Sequence, residues 1–200
     1  MAINLANNSS LANITALPSS ISGGGMTLLA TQTASSSATI SFTSGIDSTY
    51  DSYVFKFYDI HPATNDVKLT VGFRDGSTAY DAVKTTTFFT AEHGEGGAGA
   101  SLGYGSGDDL AQSTSFQPVT KTIGNGNDES CAGTLHLFSP SSTTFVKHFY
   151  SRVNMYYSGD YTFDCSMAGY CNTTTAIDGV QFKMSSGNMD SGVIKLYGIS

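Results

Sequence analysis

The 200-residue chain is 40% apolar, enough for one sizeable core, yet only 12% of it is charged, about half the share usual in a soluble domain. Its net charge is −7, with nine Lys and Arg in all and no cationic run, so neither nucleic acid nor an anionic membrane is an expected partner. No apolar run approaches the ~18 residues of a membrane span, and MAINLANNSS shows neither the basic nor the apolar region of a signal peptide.

Residues 1–25 differ from the rest. Leu5, Leu11, Ile14, Leu17 and Ile21 stand among Asn, Ser and Ala, and no charged side chain occurs before Asp47. Leu11, Ile14 and Leu17 recur at near-helical spacing, with Pro18 and Gly23–Gly25 as terminators. Regular apolar residues without charge are not the composition of a solvated tail. The segment is therefore expected to be an extended assembly arm that packs on its own domain or on a neighbouring subunit, with the folded domain spanning 26–200.

From Met26 the period becomes two. Ala38, Ile40 and Phe42 alternate with Ser37, Thr39 and Ser41, as in a half-buried strand. Tyr53–Ile60 is apolar on both faces and predicts a central strand, ended by His61-Pro62 because proline cannot donate to a ladder. Asn65-Asp66 makes a turn; Val67, Leu69, Val71 and Phe73 then alternate with Lys68, Thr70 and Gly72, and Asp75-Gly76 signals a hairpin. A strand pair is expected over 79–90. The glycine-rich run Gly94–Gly107 is too long for a simple turn and predicts a functional loop. Phe116–Ile123 reads as a strand and Gly124–Ser130 as a second polar loop. Strands follow at 132–138 and 144–157, and Tyr161, Phe163 and Cys165 alternate again. Val180, Phe182 and Met184, the turn Ser185–Asn188 and the return Val193–Ile199 predict a closing hairpin.

About ten short strands, with no helix outside the arm, predict an all-β fold. Its expected architecture is an antiparallel two-sheet β-sandwich or jelly roll with an extended N-terminal arm, a closed barrel being the alternative.

The chemistry is sparse. Gly94–Gly99 matches G-x-G-x-x-G, but nothing after it is helical, and a dinucleotide site needs the turn between a strand and a helix. His61, His93, His136 and His148 form no ligand pair, and no G-x-S-x-G elbow occurs. Asp164 and Asp178 are the residues a glycoside hydrolase would need side by side, though no spacing places them so. Asp108-Asp109 and Asn127–Glu129 are turn-borne carboxylates without EF-hand spacing, expected to be solvated. Cys131, Cys165 and Cys171 are an odd set; free buried thiols are expected, and a Cys165–Cys171 bridge stays open if the two flank a turn. No catalytic residue, metal or cofactor is expected. Tyr104, with Asp108 and Asp109, forms the candidate interaction surface.

Two stretches carry a resemblance. Ser44–Phe73 (SGIDSTYDSYVFKFYDIHPATNDVKLTVGF) and Asp178–Ser200 (DGVQFKMSSGNMDSGVIKLYGIS) resemble segments of virion-associated structural proteins of tailed bacteriophages, many of them marine, the second like a C-terminal SGxIxxGxIKLYGI hairpin. Gly107–Thr114 and Gly133–His148 are similar to further segments of that group. The resemblance implies a non-enzymatic virion structural protein on the particle exterior, assembled in the host bacterial cytoplasm: a capsid decoration (cement) protein or a small tail-attached component. Its implied partners are the major capsid or tail protein and copies of itself, a trimer among the candidate states. The alternative is a receptor-binding module of a tail fibre or tail tip that takes a host-surface glycan, with the Gly94–Gly107 loop and Tyr104 at the contact.

Overall fold

A computed structural model describes residues 25–200. Leu5, Leu11, Ile14, Leu17 and Ile21 of the expected arm lie outside the described residues. The rest forms twelve strands: β1 (Thr27–Ser37), β2 (Ile40–Phe42), β3 (Ser52–Pro62), β4 (Leu69–Arg74), β5 (Lys84–Gly94), β6 (Ser101–Tyr104), β7 (Gln117–Pro118), β8 (Cys131–Phe138), β9 (Lys147–Tyr157), β10 (Tyr161–Cys171), β11 (Gly179–Met184) and β12 (Met189–Ile199). They build two antiparallel sheets, an eight-stranded one in the order β1-β12-β3-β8-β9-β10-β5-β6 and a four-stranded one in the order β2-β11-β4-β7. The all-β two-sheet sandwich expected from the alternation is the observed fold.

The pairing is that of a jelly roll. β1 pairs with β12, β2 with β11, β3 with β8 and β4 with β7, all antiparallel. A long ribbon of such pairs, wrapped on itself, places successive pairs in opposite sheets. β5–β6 and β9–β10 are insertions into this plan, and both extend the large sheet.

The wrapping corrects several expectations of local pairing. Val180–Met184 and Val193–Ile199 are strands, but they do not form a hairpin: β11 lies in the small sheet and β12 in the large one. The Ser185–Asn188 turn, with Gly187 at φ +69°, carries the chain across the sandwich. Asp75-Gly76 likewise leads from β4 in the small sheet toward β5 in the large one. The pair expected at 79–90 is the single strand β5, and Phe116–Ile123 contains only the short β7 and the isolated bridge Val67↔Ile123. A period of two reports a strand and its buried face, and turn residues report a reversal. Neither names the partner strand.

Phe182 ties the sheets together. Its ring meets Phe42 of its own sheet at 6.4 Å and Phe55 and Phe57 of the opposite sheet at 5.3 and 5.2 Å, all edge-on. Phe73 meets Phe149 across the sandwich at 4.6 Å. Beyond these rings the inner face is mixed: Lys84, Thr86, Thr90, Lys147 and Ser151 are buried on β5 and β9 beside Phe88, Val153 and Met155. Cys165 and Cys171 sit on the same strand, facing inward, six residues and roughly 20 Å of extended chain apart. That separation forbids a bridge; all three thiols are free and buried, and burial pushes those of Cys165 and Cys171 up to about 12.

Two outcomes follow. Phe182→Ala removes a ring that contacts both sheets and lowers stability by about 3–5 kcal/mol, read as a shift in denaturant midpoint at unchanged slope. Lys84 is the opposite case, since its buried ammonium donates to the Ala82 carbonyl at 2.6 Å and burial lowers its pKa. The penalty for holding that charge operates below the lowered folded pKa and is relieved as pH rises through it. Lys84→Met removes that penalty but also the donor to the Ala82 carbonyl, so its stability relative to wild type, read from the same denaturant midpoints, falls as pH rises toward 10.

Candidate functional site: an apolar sheet edge above a buried carboxylate

The glycine-rich run is not an open loop. Its second half is β6, paired to β5 with Phe89 opposite Tyr104 and Ala91 opposite Leu102. The glycines allow the reversal. Gly97 and Gly99 have φ of +80° and +75°, and a Cβ on Gly99 would stand 2.6 Å from the Tyr161 ring. The Gly94 amide closes the turn on the Ala98 carbonyl at 2.9 Å.

β6 is the last strand of the large sheet, so one side of its backbone has no strand partner among the described residues. The register puts Phe89, Leu102 and Tyr104 on the outer face, and they are 47%, 75% and 58% exposed. Edge strands are commonly guarded by lysine, proline or a bulge. SLGY carries none of these. The Tyr104 hydroxyl donates to Asp109 Oδ2 at 2.7 Å, a bond that fixes the ring's outer end and raises the phenol pKa.

Asp108 departs from the expected surface. Grouped with Tyr104 and Asp109 in the sequence, it is 2% exposed and points inward. Its carboxylate takes Lys68 Nζ on one oxygen and Lys121 Nζ at 2.6 Å on the other. Burial alone would raise its pKa, but the hydrogen bonds and charges of Lys121 and Lys68 outweigh it and hold the group below the usual carboxylate range. The Asp108 carbonyl accepts from Gln117 Nε2 at 2.7 Å, Gln117 accepts from the Thr86 hydroxyl, and that hydroxyl in turn accepts the Leu110 amide at 2.8 Å. Asp108 thus fastens the chain that follows β6 to β4, β5 and β7.

The other polar candidates stand apart. Asp164 pairs with Arg152 at 2.6 Å on the large sheet, and Asp178 with Arg74 at 2.7 Å by the small one, so the two carboxylates do not face a common substrate. Asp128 and Glu129 line an open cleft of about 510 Å³ with Asp59 and Asp190. Among the described residues no group of three His, Cys, Asp or Glu is placed to hold a metal ion. His136 lies flat against Tyr150 at 4.6 Å, and burial, with Lys56 nearby, lowers its pKa. His148 meets Tyr170 edge-on at 6.1 Å.

The sequence reading missed Phe89 and Leu102 as partners of Tyr104, and Phe138, Phe145 and Tyr150 as exposed rings. One signal was available. On β9, His148 and Tyr150 occupy the polar phase of an alternation whose other phase is Phe149 and Val153. An aromatic ring in the outward phase has no core to fill.

No protein family and no curated protein matches the chain. A solved structure from Bacteroides ovatus, described as structural genomics of unknown function, aligns over 50% of this chain and 44% of that one. It does so at 7% identity and a TM-score of 0.27, too slight a likeness to bear on fold or function.

Asp108→Asn leaves two ammonium groups facing a neutral amide. Both lysines are about one-third exposed, with side-chain accessibilities of 29% and 32%, and can turn to water. The cost is therefore about 2 kcal/mol, below that of breaking a fully enclosed pair. The carboxylate's contribution is complete above its unfolded pKa near 4 and is lost as pH falls through the lower folded value. The stabilities of wild type and Asp108→Asn should draw together as pH falls from about 4 through that folded value, read from acid unfolding curves.

Proposed function

We propose that the protein is a non-enzymatic structural protein of a bacteriophage virion, placed on the particle exterior as a capsid decoration protein or a small tail-attached component. The observation that carries this reading is the open edge at β6, where Leu102, Tyr104 and Phe89 present apolar surface on a firmly held hairpin. An unguarded apolar edge is costly for a free monomer and useful in a many-copy assembly. Three further features support it. The chain resembles virion proteins over Ser44–Phe73 and Asp178–Ser200. Jelly rolls are a recurrent capsid architecture. The carboxylates that hydrolysis would need, Asp164 and Asp178, are each paired to an arginine.

In this reading the β6 edge meets a neighbouring copy or the major capsid or tail protein. The variant Leu102→Lys with Tyr104→Lys changes only exposed side chains and sets a cation near Asp109, so its thermal midpoint stays close to wild type. Its incorporation into particles should fall at least tenfold, about the loss expected when apolar anchors of an interface are removed. A particle reconstruction gives the location. Copies distributed over the icosahedral shell or on the tail tube agree with the proposal. A few copies confined to the tail tip favour the receptor-binding alternative, and normal incorporation of the double variant refutes the edge as the contact.

A further inference from the structure

A second surface lies on the outer face of the large sheet, at the end of β9 and β10 nearest the 139–146 connection. The cross-strand register explains its shape. Tyr150 on β9 stands opposite Ala168 on β10, which stands opposite Thr87 on β5; one step along, His148, Tyr170 and Thr85 form the next row. Ala168 is the only small side chain of these six outward positions, so the face dips there between Tyr150 and Thr87. The dip is a cavity of about 400 Å³. A second, of about 500 Å³, lies between Phe138, His148 and the connection carrying Ser142 and Phe145. Phe138 and His148 line both, so the two form one groove.

Three properties limit what fits. First, the walls are rings: Phe138, Phe145 and Tyr150 are 38%, 72% and 41% exposed, and Tyr150 is held in place by His136 stacked against it at 9°. Second, the rim is hydroxylic. Thr85, Thr87, Ser142 and Thr174 line the groove, and Thr85 Oγ1, which accepts from Gln112 Nε2 at 2.7 Å, keeps its own proton to donate. Third, no Asp, Glu, Lys or Arg lines either cavity. A charged ligand would lose its hydration here with no opposite charge in return. A purely apolar ligand would leave the hydroxyl rim unused. A chain of pyranose rings matches all three properties, because each ring offers a C–H face to stack on an aromatic and hydroxyls to bond at its rim.

We propose that this groove binds a neutral glycan, with Tyr150, Tyr170 and Phe138 as stacking platforms and Thr85, Thr87 and His148 as hydrogen-bonding partners. The inference goes beyond the assembly reading and does not depend on it, since the β6 edge and the groove use different side chains. It also differs from the contact expected at Tyr104.

The test is native electrophoresis of the full chain through gels containing soluble starch, mixed-linkage β-glucan or galactomannan, with alginate as the anionic control. Retardation by at least one neutral polymer, insensitive to added salt, is expected. Tyr150→Ala should weaken it on the order of tenfold. Ala168→Trp, which fills the floor from an outward position, should abolish it, while Tyr104→Ala should leave it unchanged. Thermal unfolding confirms that each variant is folded. Free migration in all three neutral polymers overturns the proposal, as does retardation by alginate alone or wild-type retardation of folded Tyr150→Ala and Ala168→Trp. Loss of particle incorporation in the Leu102 and Tyr104 variant bears only on the assembly reading.

Discussion

The structure depends on a mismatch of widths. A four-stranded sheet cannot cover the inner face of an eight-stranded one. Where β2 and β11 meet β3, and β4 meets β9, the sandwich closes with aromatic side chains: Phe42 and Phe182 on Phe55, and Phe73 on Phe149. Beyond the short β7 the small sheet ends, the large sheet overhangs, and irregular chain must seal its inner side. Such chain brings unpaired amides and carbonyls against a buried surface, and each needs a partner. This explains why the inner faces of β5 and β9 carry Lys84, Thr86 and Lys147, where Lys84 meets the Ala82 carbonyl and Lys147 the Thr173 carbonyl. Thr86 serves the Leu110 amide, Thr120 the Leu69 amide, and Cys165 Sγ the Lys121 amide.

Asp108 is the strongest fixture in that polar half. The two lysines that neutralise it come from either side of it in sequence, Lys68 before β4 and Lys121 after β7. By anchoring the segment after β6, it holds the outermost hairpin as an extension of the sheet. The exposed rings on that hairpin therefore have fixed positions, as an interface requires. The same overhang places β5, β9 and β10 side by side with an outer face that the described residues leave open, and the aromatic groove occupies that face. Both proposed surfaces are consequences of extending one sheet of a jelly roll.

Strand identity was legible wherever one face is apolar and the other polar. β9 and β4 announce themselves by alternation, and the doubly apolar Tyr53–Ile60 correctly indicated a strand flanked on both sides. Pairing was not legible. Ser185–Asn188 has the composition of a hairpin turn, yet its flanking strands join different sheets, because their long-range partners β2, β4, β1 and β3 decide where each lies. Asp108 and Asp109 are identical neighbours in sequence, but one is buried on two lysines and the other meets the Tyr104 hydroxyl in solvent. Only the distant positions of Lys68 and Lys121 distinguish them. Tyr104 could be singled out as an aromatic in a glycine-rich run. Phe89 could not, because it looks like any other strand residue until β6 is placed beside it with no described strand beyond.

The pairing of first strands with last has a kinetic side. β12 lies between β1 and β3, and β11 between β2 and β4, so neither sheet is complete until residues 179–199 are available. A nascent chain leaving the ribosome can form the β5–β6 and β9–β10 hairpins early, but β1 and β3 wait with open edges on both sides of a missing neighbour. Contacts of such long sequence separation are slow to form, and exposed strands in the interval are prone to wrong pairing. The interval between synthesis of β3 and arrival of β12 is when β1 and β3 are most exposed to pairing with another chain.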